Sequence, residues 1–318
     1  MQPIKLYFDC DTGIDDAMAL GYLLAEKQRV DIVGIGTVCG NTDVVSGARN
    51  TLNLLNLAGA TDIPVAMGQP DPLYGTFVSC CQHIHGNNGI GDVELATSNR
   101  SPEKQSAAEL LVSLARQYPG QLHILATGPL TNLALGLQLE PKLPGLLARV
   151  TIMGGAANAP GNRSPVAEAN IAEDPEAAAL VFQAFDNLVM VPLDLTMRQV
   201  LEQSHHQQLL NSDRPFARVI GEMLTLYIGF YEDKLGRKAC AIHDPAAAYF
   251  AVQGLTGCLA PKVRVVIDDT HGPARGQTIC DLRGKYNGFP PQTEANCTVV
   301  LDFDQQLGPL LTEKLLSV

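Results

Sequence analysis

Short apolar runs alternate with amphipathic stretches along most of the chain. The runs rich in Val, Ile and Leu predict strands at residues 4–8, 32–38, 122–126, 150–153, 188–191, 263–267 and 299–303. Most of these runs are continuously apolar rather than strictly alternating. That pattern is typical of strands that helices cover on both faces of a sheet.

Helical periodicity lies between the apolar runs, at residues 15–25, 44–57, 102–117, 129–137 and 175–185. The last of these helices is expected to begin at Asp174-Pro175, an N-cap residue followed by proline in the first turn. Strands that alternate with helices predict βαβ units and a mostly parallel sheet. We therefore predict an α/β fold, a single Rossmann-like domain over residues 1–318 with helices on both sides of its central sheet.

Two segments interrupt this alternation. Residues 70–101 are rich in Gly, Asn, His and Pro, and they are too long for an ordinary connection, which is typical of a functional loop. Residues 199–238 are predicted to be helical, with Phe216, Tyr227, Phe230 and Tyr231 concentrated toward their end. We expect this second segment to be a helical insertion near the active site.

The composition excludes several classes of protein. Of 318 residues, 46% are hydrophobic and 17% charged, which is too apolar for a disordered chain. The net charge of −11 disfavours nucleic acids and anionic membranes as partners. We find no apolar run long enough to span a bilayer, no signal-peptide pattern and no CxxC motif among eight cysteines, which include the pair Cys80-Cys81. These features predict a cytoplasmic protein with reduced thiols.

Four acidic residues follow the first predicted strand within eight positions: Asp9, Asp11, Asp15 and Asp16. Ligands of open parallel sheets bind at the carboxyl ends of the strands, where this segment must lie. The four carboxylates repel one another unless a cation neutralises them, and oxygen donors alone favour Ca²⁺ or Mg²⁺. Asp15 and Asp16 could instead complement a helix N-terminus, but that role does not account for four acids.

Two shorter motifs offer further metal or proton chemistry. Asp244 is a candidate ligand for a hard cation, and the neighbouring His243 could transfer protons or could simply cap a helix. Thr127 lies where a predicted strand turns into a helix, so its carbonyl could bind Ca²⁺ or belong to an ordinary turn. Polar loops suited to a sugar, or to solvent alone, contain Asn41, His85, Met153, Asn162, Glu168 and Asn170.

Taken in this order, the motifs resemble those of the inosine-uridine-preferring nucleoside hydrolases. The family pattern DxDxGxDDAxA is matched at Asp9, Asp11, Gly13, Asp15, Asp16, Ala17 and Ala19, and the resemblance extends from there to at least Asp244. It implies a mostly parallel α/β fold and Ca²⁺-dependent hydrolysis of ribonucleosides to ribose and free base, in nucleoside salvage. It also implies assembly into a homodimer or homotetramer.

The same resemblance assigns roles to individual residues. The implied Ca²⁺ ligands are Asp11, Asp16, the main-chain carbonyl of Thr127 and Asp244. The implied substrate-binding residues are Asp15, Asn41, His85, Met153, Asn162, Glu168 and Asn170. Asp11 is the expected general base, and His243, with a pKa near neutrality, is the expected proton donor to the leaving base.

Two positions depart from the family pattern, and the chain also lacks a residue type used by one branch of the family. Thr12 replaces the usual proline and is expected to affect only backbone stiffness. Ala169 replaces a frequent phenylalanine and is expected to enlarge the pocket. The chain has no tryptophan, which disfavours the branch that stacks purines between tryptophans. His85 and His243 are expected to flank the base and can donate to pyrimidine carbonyl oxygens. Together with the missing tryptophan, this leads us to expect uridine or cytidine to be cleaved at least as well as inosine.

Two alternative functions are considered. Asp9-x-Asp11-Thr12 weakly resembles the DxDxT motif of phosphotransferases with a nucleophilic aspartate, although Gly13 stands where that motif needs threonine. A non-catalytic nucleoside-binding protein on the same scaffold is the other alternative. The presence of Asp11 and His243 argues against it.

Overall fold

The computed structural model describes residues 2–79 and 81–318, so Cys80 lies outside the described residues. The strands are β1 (Ile4–Cys10), β2 (Val30–Thr37), β3 (Val65–Met67), β4 (Leu122–Ala126), β5 (Leu147–Met153), β6 (Leu188–Val191), β7 (Val200–Glu202), β8 (Ala239–Ala241), β9 (Cys258–Leu259), β10 (Lys262–Val263), β11 (Val265–Ile267), β12 (Thr278–Cys280), β13 (Cys297–Val299) and β14 (Asp302–Phe303). The helices are α1 (Ile14–Ala25), α2 (Val44–Leu57), α3 (Gln82–His85), α4 (Ala107–Gln117), α5 (Thr131–Leu139), α6 (Leu143–Leu146), α7 (Ala169–Glu173), α8 (Pro175–Ala184), α9 (Leu193–Thr196), α10 (Gln203–Leu210), α11 (Pro215–Leu235), α12 (His243–Gln253) and α13 (Leu307–Leu315), with a 3₁₀ turn at Arg283–Asn287.

Eight of the described strands form one sheet, in the order β10-β13-β6-β5-β4-β1-β2-β3. Neighbouring strands are parallel except β10, which runs antiparallel to β13. The predicted α/β fold with a mostly parallel sheet is therefore confirmed. The strand order reverses between β1 and β4, which is where ligands bind in open α/β sheets.

Alternate residues of the central strands enter two separate apolar clusters. Leu6 and Phe8 belong to one cluster, whereas Tyr7 between them belongs to the other. Successive side chains of a strand point to opposite faces of the sheet, so each cluster covers one face. Burial on both faces explains why these strands read as continuous apolar runs.

Two of the predicted strands are each divided in the structure. The run 263–267 contributes β10 to the main sheet and β11 to a hairpin with β12. The Asn296 side chain explains the break, because its Oδ1 accepts from the Val265 N–H at 2.8 Å and its Nδ2 donates to the Val265 carbonyl at 3.0 Å. The run 299–303 similarly divides between β13 and β14, and β14 pairs with β9.

Between β7 and β8, which pair antiparallel, lie α10 and α11. The helical segment predicted at 199–238 thus begins with a strand before its two helices. Tyr227 and Tyr231 of α11 are buried.

Among the described residues, no helix has the combination of length and apolarity that crossing a membrane requires.

Candidate active site

A cavity lies where the carboxyl ends of β1, β2, β4 and β5 meet the start of α12. Its lining contains ten of the residues singled out in the sequence: Asp15, Asn41, His85, Thr127, Met153, Asn162, Glu168, Asn170, His243 and Asp244. The other two, Asp11 and Asp16, accept hydrogen bonds from the lining residue Asn41. The parallel sheet brings these residues together because the carboxyl ends of its strands share one edge.

Asp11 accepts two hydrogen bonds from the loop that follows β2. The Asn41 backbone N–H donates to its Oδ2 at 2.7 Å, and the Asn41 Nδ2 donates to its Oδ1 at 3.0 Å. A Cβ at Gly40 would lie 2.1 Å from Oδ2, so this close approach requires glycine. Burial, together with the charge of Asp16, raises the pKa of Asp11 well above its ordinary value. A carboxylate with raised proton affinity is suited to act as a base.

Asp15, Asp16 and Asp244 form a buried carboxylate cluster. One oxygen from each lies within 4.8 Å of the others, and burial raises the pKa of all three, that of Asp15 to about 6. Asp15 Oδ1 and Asp244 Oδ2 are buried without a hydrogen-bond partner among the described residues. Unpaired buried carboxylate oxygens are costly, so this cluster fits a bound cation. Asp15, which the resemblance implied for ribose, is a member of it, whereas Asp11 is not.

Thr127 connects the cluster to the end of β4. Its hydroxyl donates to Asp16 Oδ1 at 2.7 Å, and its carbonyl accepts from Asn170 Nδ2 at 2.7 Å. Because a carbonyl oxygen has two lone pairs, one is left for another partner. Asp9, the nucleophile that a phosphotransferase would need, instead accepts from Asn132 Nδ2 at 2.9 Å and does not line the cavity.

Glu168 and Asn170 form a further part of the cavity wall. Glu168 caps α7 by accepting from the Asn170 N–H at 3.0 Å, and it also accepts from the Gly155 N–H at 2.9 Å. Burial raises the pKa of Glu168 to about 7. Asn162 accepts from the Ala169 N–H at 2.9 Å, which fixes the loop beside the small Ala169 side chain. The wall therefore offers amide and carboxyl groups without an aromatic ring at residue 169.

His243 is bonded at both ring nitrogens. Its Nδ1 lies 2.7 Å from the Thr196 hydroxyl, and its Nε2 lies 2.6 Å from the Tyr231 hydroxyl. Burial lowers the pKa of His243 to about 4, below the near-neutral value expected from the sequence. The residue is therefore a neutral imidazole at pH 7, linked to two hydroxyl groups.

His85 is the last residue of α3, within the long segment 70–101 that the sequence marked as functional. Its Nδ1 accepts from the Ile14 N–H at 3.1 Å, and burial lowers its pKa to about 4. A neutral imidazole that accepts at Nδ1 carries its proton on Nε2. His85 therefore presents an N–H donor, and its ring packs 5.6 Å from that of Tyr227.

Two tyrosines of the predicted helical insertion have contacts in the site that the sequence did not assign to them. Tyr227 donates to Asp15 Oδ2 at 3.1 Å, and Tyr231 contacts His243. Both line the cavity, together with Cys81 and Ile84. A usable signal existed, since two tyrosines four residues apart share one face of a helix.

Thr12 has a larger role than the stiffness expected from the sequence. Its φ of 22° is closed to proline, whose ring holds φ near about −65°. Its buried hydroxyl also lies 2.7 Å from the Thr51 hydroxyl in α2. The threonine therefore adds a buried hydrogen bond beside Asp11 that proline could not make.

Comparisons with known proteins agree with this geometry. The family model described as inosine-uridine preferring nucleoside hydrolase matches residues 6–307. Uridine nucleosidase 1 of Arabidopsis thaliana is 35% identical over 288 residues, 90% of this chain and 85% of the relative. The inosine-uridine preferring nucleoside hydrolase of Crithidia fasciculata is 33% identical over 312 residues, 97% of this chain and 96% of the relative. The solved plant nucleoside hydrolase PpNRh1 superposes with a TM-score of 0.92 at 29% identity, covering 99% of this chain and 100% of that structure.

These matches confirm the resemblance found in the sequence and set aside the phosphotransferase alternative. The family model covers nearly the whole chain, and the carboxylate cluster could hold a metal ion. The chain therefore belongs to the inosine-uridine preferring nucleoside hydrolase family, enzymes that cleave the N-glycosidic bond of nucleosides.

Proposed function

We propose that this enzyme hydrolyses ribonucleosides to ribose and free base, and that it cleaves uridine or cytidine at least as well as inosine. The observation that carries the proposal is one cavity that joins a buried carboxylate cluster to amide groups and two histidines. The sugar-binding residues are proposed to be Asp15, Asn41, Met153, Asn162, Glu168 and Asn170. The uridine nucleosidase relative supports a pyrimidine substrate.

In the proposed reaction, water attacks the anomeric carbon of ribose. The bond from that carbon to the base nitrogen breaks, and its electron pair leaves with the base. Asp11 takes a proton from the water, a role that its raised pKa supports. The ribosyl group passes through an oxocarbenium-like state, and the nearby carboxylates stabilise its positive charge.

As the bond to ribose breaks, the leaving base takes up a proton or a hydrogen bond. His243 and Tyr231 are proposed to supply that proton through their 2.6 Å contact, and the proton that Asp11 has taken from the water replaces it by way of solvent. The Nε2–H of His85 is proposed to donate to an acceptor atom of the base, such as a pyrimidine carbonyl oxygen. A pyrimidine anion leaves poorly, so both donors favour its departure.

A nucleoside panel tests this function. We expect kcat/KM for uridine or cytidine to equal or exceed that for inosine. We expect 2′-deoxyuridine to react at least about 100-fold more slowly than uridine, because buried polar groups of the site would lose the ribose 2′-hydroxyl as a hydrogen-bond partner. The measurement is ribose and base release under initial-rate conditions. Equal rates for uridine and 2′-deoxyuridine would contradict the sugar site, and no base release after prolonged incubation would favour a binding protein.

Ca²⁺ is the cation that we propose for the carboxylate cluster. Asp11, Asp16, Asp244 and the Thr127 carbonyl are the proposed ligands, and all of them offer oxygen, as a hard cation prefers. The unpartnered oxygens of Asp15 and Asp244 support a cation here and add Asp15 to the groups that face it. When bound, Ca²⁺ would orient the ribose and make the attacking water more acidic.

Removal of the metal ion should affect both stability and activity. We expect a chelator to lower activity at least about 100-fold and Ca²⁺, rather than Zn²⁺, to restore it. Saturating Ca²⁺ should also raise the unfolding free energy, by about 2.7 kcal/mol at a concentration 100 times the Kd. Thermal melts with and without Ca²⁺ measure this effect. The variant Asp244→Asn should lose the shift, and an unchanged shift in that variant would refute the proposed ligand.

The assembly and cellular setting are also proposals. We propose a homodimer or homotetramer and a cytoplasmic location, as the family resemblance implies. A reducing compartment fits the buried cysteines Cys10, Cys39, Cys240 and Cys297, which form no disulfides with the described residues. We also propose that the chain works as one domain with an insertion at 199–238, which the β7–β8 pair at its base supports.

A further inference from the structure

The short helix α9 contacts His243 from the side opposite Tyr231. Thr196, its last residue, is fully buried, and its hydroxyl lies 2.7 Å from His243 Nδ1. Tyr231 lies 2.6 Å from Nε2, so each nitrogen of the imidazole is held by a hydroxyl group. Thr196 does not line the cavity and cannot touch the substrate there. Any effect of its hydroxyl on the reaction must pass through His243.

Helix α9 is itself firmly anchored. The carboxylate of Asp194 accepts from three successive backbone amides, those of Ala157, Asn158 and Ala159, at 2.7, 2.7 and 3.1 Å. The Leu193 N–H donates to the Gly155 carbonyl at 3.0 Å. These bonds fix α9 against the loop that leads to Asn162. Thr196 therefore projects from a helix that is anchored to the same loop that carries Asn162.

We propose that Thr196 is a positioning residue for departure of the base, an inference that rests on the proposed function of His243. Its hydroxyl fixes Nδ1 and so prevents the imidazole from rotating about its bond to Cβ. Nε2 is thereby kept within hydrogen-bond distance of the Tyr231 hydroxyl. The buried hydroxyl of Thr196 has no contact with bulk water, so it orients the ring rather than supplying protons.

The loss of this hydrogen bond should affect departure of the base selectively. Thr196→Val keeps the shape of the side chain but leaves Nδ1 without its partner. We expect kcat for uridine and inosine to fall about tenfold, the effect of one buried hydrogen bond. Nitrophenyl riboside needs no proton on its leaving group, so its kcat should change by less than about twofold. Thr196→Ser restores the hydroxyl and should recover most of the lost rate for uridine and inosine.

The matched control is Thr312→Val in α13. Thr312 is equally buried, but its hydroxyl donates only to the Gly308 carbonyl of its own helix, at 2.8 Å. This variant should retain wild-type kcat for every substrate. Thermal melts of the three variants, with Ca²⁺ present, report any loss of folding separately from the change in rate.

A double-mutant cycle decides whether Thr196 acts through His243. In the His243→Ala background, Thr196→Val should lower kcat for uridine no further. A further tenfold loss there, or equal losses for uridine and nitrophenyl riboside in the single variant, would overturn the inference. If His243→Ala itself shows no preference between these substrates, the proposed function of His243 fails. If His243→Ala shows the expected preference but Thr196→Val does not change kcat for uridine, the inference about Thr196 fails and the proposed function of His243 stands.

Discussion

Replacing Asp11 with asparagine is expected to lower kcat for uridine by at least about 10³-fold, because the variant loses both a general base and a proposed metal ligand. Asparagine keeps the shape of the side chain and an oxygen that can accept from the Asn41 N–H. The raised pKa of Asp11 shows that its charge is costly to bury. The unfolding temperature without metal should therefore not fall. Steady-state kinetics and thermal melts measure the two effects.

Asp43→Asn is the matched control for this substitution. Asp43 is exposed two residues beyond Asn41 and caps α2 by accepting from the Val45 and Ser46 amides at 3.0 and 2.9 Å. Asparagine is an equally good N-cap, so the control should retain both stability and turnover. Near-wild-type turnover in Asp11→Asn would remove Asp11 from the mechanism. An equal loss in the control would trace the effect to the loop as a whole.

The sheet and the residues around its cavity could be predicted because local patterns determine both. Continuous apolar runs mark strands buried on two faces, and polar residues just beyond those runs must gather at one edge of a parallel sheet. The N-cap predicted at Asp174 is also present, since its side chain accepts from the Ala177 N–H at 3.1 Å. Such features depend on neighbouring residues alone.

The features that were missed depend on contacts between distant parts of the chain. β3 is only three residues long, and the break before β11 depends on the side chain of Asn296, 31 residues away. Tyr227 reaches Asp15 across 212 positions, and Thr196 reaches His243 across 47. No local pattern encodes these pairs. The low pKa of His243 likewise results from burial, which a dipeptide does not reveal.

His243 is the residue for which the structure changes the expected chemistry most. A pKa of about 4 means that the side chain carries no excess proton at pH 7. It can still supply a proton, because a neutral imidazole that accepts from the Thr196 hydroxyl at Nδ1 carries its proton on Nε2, beside Tyr231. His243 should therefore raise kcat most for substrates whose leaving base most needs a proton.

His243→Ala is accordingly expected to lower kcat for uridine and inosine by about 10²–10⁴-fold, the usual loss when a general acid is removed. Nitrophenyl riboside, whose leaving group is stable as an anion, should react at nearly the wild-type rate. The control is His206→Ala in α10, which removes a buried histidine bonded to the Gly221 carbonyl at 2.8 Å. It should lower the unfolding temperature and leave both rates intact. Equal losses for natural nucleosides and nitrophenyl riboside in His243→Ala would show that His243 only supports the fold of the site.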